Sequence, residues 1–129
     1  MTPLAEKPVL IVDDEKHIRA FLANEIERLG FARILQAANG KEALEIYRKH
    51  HPFAILLDIN MPEMNGEDVL QAIRLEDDSV MIVMVTAMIS QHSIEKCADL
   101  GADYFISKGA PPKQIRVELE RIFHPLLEN

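Results

Sequence analysis

Hydrophobic positions fall in short continuous runs, separated by stretches where they recur every three or four residues. Pro8 to Asp13 (PVLIVD) is apolar and β-branched and stops at acids, the pattern of a strand buried on both faces. From Glu15 to Leu29, residues Ile18, Phe21, Leu22, Ile26 and Leu29 form one helical stripe, and Gly30 follows where a helix end favours glycine. Phe31 to Ala37 is a shorter strand, interrupted by Arg33 and Gln36 and so expected nearer an edge. A helix opening at Asn39-Gly40 carries Ala43, Leu44, Ile46 and Tyr47 and stops before Pro52. Phe53 to Asp58 (FAILLD) is the most apolar strand and belongs at the sheet centre. The loop Asn60 to Gly66 (NMPEMNG) is dense in breakers. A helix from about Glu67 to Leu75 and a buried strand from Val80 to Val85 follow. Ser90 caps a helix that Gly101 ends, and Tyr104 to Ser107 is the last strand. Pro111 and Pro112 open a final helix, near Lys113 to Leu127.

Five repeats of strand then helix specify an α/β fold, a parallel sheet with helices on both faces. Right-handed crossovers limit the topologies, and five strands fit the doubly wound, flavodoxin-like order 2-1-3-4-5. The 129 residues suffice for one such domain, expected over 8–127, with 1–7 as a short leader.

Composition changes this picture little. Hydrophobic residues make up 48% and charged residues 27%, as in ordinary globular domains. The net charge is −7 and basic residues form no run, which argues against direct nucleic-acid binding. No apolar run is long enough for a bilayer, and no signal peptide pattern opens the chain. A single cysteine, Cys97, cannot form an internal disulfide and is expected to be a packing residue. These features together suggest the cytoplasm. The five histidines have no ligand-like arrangement and are expected at the surface.

Candidate chemistry comes from the strand ends, because open parallel sheets bind ligands beyond the carboxyl ends of their strands. Strand one ends in Asp13, Asp14 and Glu15, strand three in Asp58, strand four in Thr86, and strand five in Ser107 and Lys108. In the order 2-1-3-4-5 these four strands are consecutive, so the groups converge on one sheet edge. Clustered carboxylates repel one another unless a cation neutralises them, and a hard divalent ion such as Mg2+ suits oxygen ligands. Asp14 and Asp58 suit direct ligation, Asp13 binds directly or through water, and the Asn60 carbonyl is placed to complete the set. With the acids neutralised, Asp58 on the central strand is the best nucleophile towards phosphorus. Lys108 and Thr86 would offer an ammonium and a hydroxyl to the transferring group.

At this point the residues match a known family. VDDE at Val12 to Glu15, LLDINMPEMNG from Leu56 to Gly66, VTA at Val85 to Ala87, and SK at Ser107-Lys108 together resemble the receiver domain of two-component response regulators. The resemblance spans nearly the whole chain. It implies that Asp13 and Asp14 bind magnesium, that Asp58 is phosphorylated, and that Thr86 and Lys108 contact the phosphoryl group. The implied partner is a histidine kinase or phosphotransfer protein, and a phosphorylation-dependent dimer is a further form the family suggests. The aromatic switch position falls on Phe105, which has no hydroxyl, so its ring position alone would signal together with Thr86. Gly109 stands where many relatives have proline. Asn60 and Met88 should flank the site, and an apolar Met88 would orient water poorly and favour a long-lived phosphoryl group.

Two other functions fit parts of the pattern. A magnesium-dependent phosphatase with an aspartyl-phosphate intermediate commonly has a second acid where this chain has Asn60. A flavin-binding carrier of the same fold needs a Ser/Thr/Gly-rich loop where this chain has acids. Turnover of phosphate esters would mark the first, and colour the second.

Overall fold

The computed structural model describes residues 3–87 and 90–127. Five parallel strands form one sheet in the order β2-β1-β3-β4-β5. They are β1 Val9–Val12, β2 Ile34–Ala37, β3 Ala54–Leu57, β4 Met81–Thr86 and β5 Tyr104–Ser107. The helices between and after them are α1 Lys16–Arg28, α2 Gly40–His50, α3 Gly66–Glu76, α4 Gln91–Asp99 and α5 Pro112–Leu127. The expected fold class and strand order are both observed. No helix of the described residues is long and apolar enough to cross a membrane.

Strand alternation builds two cores. Leu10, Val12, Ile55, Leu57, Ile82 and Met84 face a layer made by Ala43, Leu44 and Tyr47 of α2, Val69, Leu70 and Ile73 of α3, and Cys97 of α4. Val9, Ile11, Ala54, Leu56, Val83 and Val85 face Leu22 and Ile26 of α1 and Ile115, Leu119, Ile122 and Phe123 of α5. Every residue of β1 and β3 is buried, which is why their sequences carry no polar alternation. Cys97 is fully buried, in line with a packing role.

The second strand starts later than expected. Residues 31–33 lie outside the ladder, and Phe31 is buried against the rings of Phe53 and Phe123, at 5.4 and 5.6 Å. Its apolar character marks a core contact before the strand rather than the strand itself. Before β1, Leu4–Glu6 forms one 3-10 turn, with Leu4 packed on the α1–α5 core and Ala32 N–H donating to the Ala5 carbonyl at 3.0 Å.

Helix ends follow from particular residues. The Asn39 side chain accepts from Glu42 N–H at 2.8 Å while Glu42 reaches back to Ala38 N–H at 3.2 Å, closing the start of α2. The Asn65 and Ser90 side chains cap α3 and α4 by accepting from Asp68 N–H and Ser93 N–H. Gly30 takes φ 111° just after α1, a conformation that favours glycine.

Candidate functional site

Register brings the carboxyl ends of the strands level. Val12 pairs with Leu57, so the next residues, Asp13 and Asp58, stand side by side. Backbone bonds carry the ladder onto them: Asp58 N–H donates to the Val12 carbonyl at 3.0 Å, and Asp13 N–H to Ala37 at 3.1 Å. On the neighbouring side Thr86 pairs with Ser107, and Lys108 N–H donates to the Thr86 carbonyl at 2.9 Å. That bond fixes the start of the lysine's loop although Gly109 follows it.

Three carboxylates meet there. Asp13, Asp14 and Asp58 each offer an oxygen, and these oxygens all lie within 4.8 Å of one another. Asp13 and Asp58 are buried, and Asp14 is exposed. Lys108 reaches in from β5. Its Nζ is 3.1 Å from Asp58 Oδ2, 2.9 Å from Asp13 Oδ2 and 2.6 Å from Glu15 Oε1. The contact to Asp13 is an ion pair without hydrogen-bond alignment, and Asp13 Oδ2 is a buried oxygen with no hydrogen bond. The other Asp13 oxygen accepts from Glu15 N–H at 2.8 Å. Asp58 Oδ1 accepts from Asn60 N–H at 3.3 Å.

Electrostatics follow from this crowding. Burial pushes the Asp13 carboxyl above its usual range, and the Asp58 charge adds to the push against the opposing pull of Glu15 N–H and Lys108. Burial alone would lower Lys108. Its contacts with Glu15, Asp13 and Asp58 outweigh that and hold it protonated well above an ordinary lysine. Lys108 in turn lowers Glu15.

Other residues named from the sequence take distinct places. Thr86 is fully buried at the end of β4, next to β3. Phe105 is half-buried on β5, level with Met84, and packs against the α2–α3 core. Met88 lies outside the described residues. Neither Asp13 nor Asp14 caps α1; Glu15 is the N-cap residue, and its side chain makes no capping bond.

Three contacts were not legible in the sequence. Glu15 was expected at this edge among the strand-end acids, but it touches a lysine 93 positions away, which no local pattern announces. Arg19 donates to the Asp13 carbonyl at 2.7 Å and to Gln36 Oε1 at 3.3 Å, tying the acidic strand end to α1. Gly66 starts α3 directly on the end of β3. Its N–H donates to the Ile59 carbonyl at 2.8 Å, and a Cβ there would come within 2.1 Å of the Asp58 carbonyl oxygen. Its place at the end of the breaker-rich loop was the one available signal.

An open cavity of about 590 Å³ lies at the opposite edge, lined by Pro8, Phe53 and Met81 where the strands begin. The converging acids and lysine are not there, and the chemistry belongs to the carboxyl edge.

Comparison with known proteins agrees with this geometry. The sequence model of the response regulator receiver domain matches residues 9–120. A probable transcriptional regulator ycf27 of Porphyridium aerugineum is 34% identical over 92% of this chain and 49% of its own length. The chain thus spans about half the length of that relative. The chemotaxis protein CheY of Thermotoga maritima is 35% identical over 90% of this chain and 97% of its own length. Among solved structures, the CheX-CheY-BeF3-Mg2+ complex from Borrelia burgdorferi contains a chain 30% identical to this one, with a TM-score of 0.83 over 91% of this chain and 89% of that one. With the family match over most of its length, the same sheet order and the acids and lysine gathered at one edge, the chain belongs to the response regulator receiver domains, signalling switches of two-component systems rather than a classical enzyme family.

Proposed function

We propose that Asp58 accepts a phosphoryl group from a histidine kinase or phosphotransfer protein in a Mg2+-dependent reaction. The observation that carries this reading is the convergence on Asp58, at the end of the central strand, of two further carboxylates and the Lys108 ammonium.

The residues present fit a divalent cation. Asp13 Oδ2 is buried with no hydrogen bond, and Asp13, Asp14 and Asp58 each offer one carboxylate oxygen within 4.8 Å of the others. A set of oxygen donors only, with surplus negative charge, suits Mg2+. Asp13, Asp14 and Asp58 would hold it, with the Asn60 carbonyl as a further donor. When bound, it would offset the charge of the acids and of the incoming group. The related Borrelia chain, solved with BeF3 and Mg2+, is consistent with the same reading here.

In the transfer, an Asp58 carboxylate oxygen forms a bond to phosphorus as the bond to the donor breaks. The donor's nitrogen, or the acetate of acetyl phosphate, leaves with that electron pair. Lys108 already sits 3.1 Å from Asp58 Oδ2 and can stay with the added oxygens. Thr86, one strand away, would donate its hydroxyl to one of them. That shift, together with the ring of Phe105, would alter the surface of α4, β5 and α5 for a partner or a second copy to read. The cytoplasm is the compartment this reading assumes. Met88 follows Thr86 by two positions in the sequence, and an apolar residue there is expected to orient water poorly and make the phosphoryl group long-lived; loss of label within seconds would count against that.

The test of the acceptor is Asp58→Asn. Wild-type protein should take up label from acetyl phosphate with Mg2+ present and lose that ability in EDTA, while the variant should take up none. Labelling that persists in the variant would remove Asp58 from the role.

A further inference from the structure

Lys108 is held by one more acid than the phosphoryl chemistry requires. An ammonium has three N–H groups. Asp58 and Asp13, at 3.1 and 2.9 Å, belong to the acid set that would hold a cation. The shortest contact, 2.6 Å, goes to Glu15 Oε1, which lies outside that set. Glu15 occupies the N-cap position of α1, yet its carboxylate makes no capping bond. Its side chain is 46% exposed and that of Lys108 only 10%, so the acid leans over the lysine from the solvent side. Its second oxygen faces His17 Nε2 at 3.6 Å.

From these contacts we infer that Glu15 is a positioning residue that latches Lys108 over the acidic cluster in the phosphate-free state, and that the lysine releases Glu15 to follow a phosphoryl group on Asp58. The inference rests on Asp58 being the acceptor. A phosphoryl group brings three acceptor oxygens and nearly two charges, more than a single carboxylate offers an ammonium. Of the three acids on Lys108, Glu15 is the one water can solvate once it is let go, so its release costs least. Breaking the latch in advance removes that cost from the transfer.

The rate of Mg2+-dependent labelling by acetyl phosphate and the affinity for beryllofluoride, a phosphoryl mimic, can be compared in wild type, Glu15→Ala, Lys108→Ala and the double variant. Hydrogen exchange of the Lys108 ammonium in the phosphate-free protein, followed by NMR, reports on the latch directly. Glu15→Ala should raise rate and affinity about two- to fivefold, the range an exposed ion pair is worth. The gain should vanish when residue 108 is alanine, and the ammonium should exchange faster. Glu15→Gln keeps an acceptor oxygen and should gain less. A similar gain with and without the lysine would overturn the latch, because the acid would then act through charge alone. No gain, or unchanged ammonium exchange, overturns it as well. If wild type takes up no label, the Asp58 reading fails instead, and the exchange measurement alone decides on the latch.

Discussion

Asp13 carries a charge that its position resists. It is buried beside Asp58, and its carboxyl is raised above the ordinary range even though Lys108 pulls the other way. A neutral isostere should therefore relieve the metal-free fold. Asp13→Asn keeps an acceptor for Glu15 N–H and is expected to raise stability in EDTA, because the amide carries no charge to desolvate. The same change removes a proposed cation ligand, so the gain in melting temperature that Mg2+ gives wild type should shrink or disappear. Urea denaturation with and without Mg2+ measures both effects. A variant less stable than wild type in EDTA and equally stabilised by Mg2+ would contradict this account of Asp13. Asp13, Asp58 and Lys108 were each legible as strand-end groups, because apolar runs that stop abruptly at charge mark where a buried strand surfaces. Arg19 was not, because its work is done through a backbone carbonyl that no side-chain pattern records.

The loop from β3 to α3 is where one element positions the chemistry of another. Gly66 has no Cβ because the Asp58 carbonyl occupies that space. Gly66→Ala must push α3 away from the strand end, and overpacking of this kind costs about 1–3 kcal/mol. Labelling by acetyl phosphate should slow along with the loss of stability, since the displaced backbone is that of Asp58. Asn39→Ala provides the contrast. It removes the cap of α2, at a cost of about 1 kcal/mol, but the hydrogen bonds and ion pairs described above for the acidic cluster come from other elements. Its labelling rate per folded molecule should match wild type. Equal labelling in both variants would mean that the close contact at Gly66 has no part in placing Asp58. Helix starts were readable because asparagine and serine caps announce themselves. The start of β2 was misjudged because an apolar run can serve the core without joining a ladder, as Phe31 does.

At the scale of the molecule, the end opposite the acidic edge is tied by Asp77. Its carboxylate accepts from Ser79 Oγ at 2.8 Å, Ser79 N–H at 2.7 Å, Val80 N–H at 3.2 Å and the Tyr47 hydroxyl at 2.9 Å, joining α2, the end of α3 and the start of β4. The Ser79 hydroxyl and N–H bonds, followed by those of Tyr47 and Val80, hold its pKa down to about 2. A depressed folded value means the stabilisation is complete above the unfolded pKa near 3.8 and is lost as pH falls towards 2. Melting temperature should therefore fall over that window, and Asp77→Asn should flatten the fall. An unchanged acid limb in the variant would assign the loss to other carboxylates.

The alternation of apolar runs and helical stripes determined the fold class without reference to tertiary detail, because only a sheet covered on both faces can bury such runs, and five such strands fit the order that is observed. The identities of the strand-end residues likewise determined which chemistry was available. Tertiary structure decided what local patterns cannot encode: the level register of Asp13 with Asp58, the steric need for glycine at position 66, and the reach of Lys108 to Glu15. These depend on distances between elements far apart in the chain, and such distances exist only once the sheet and its helices have packed.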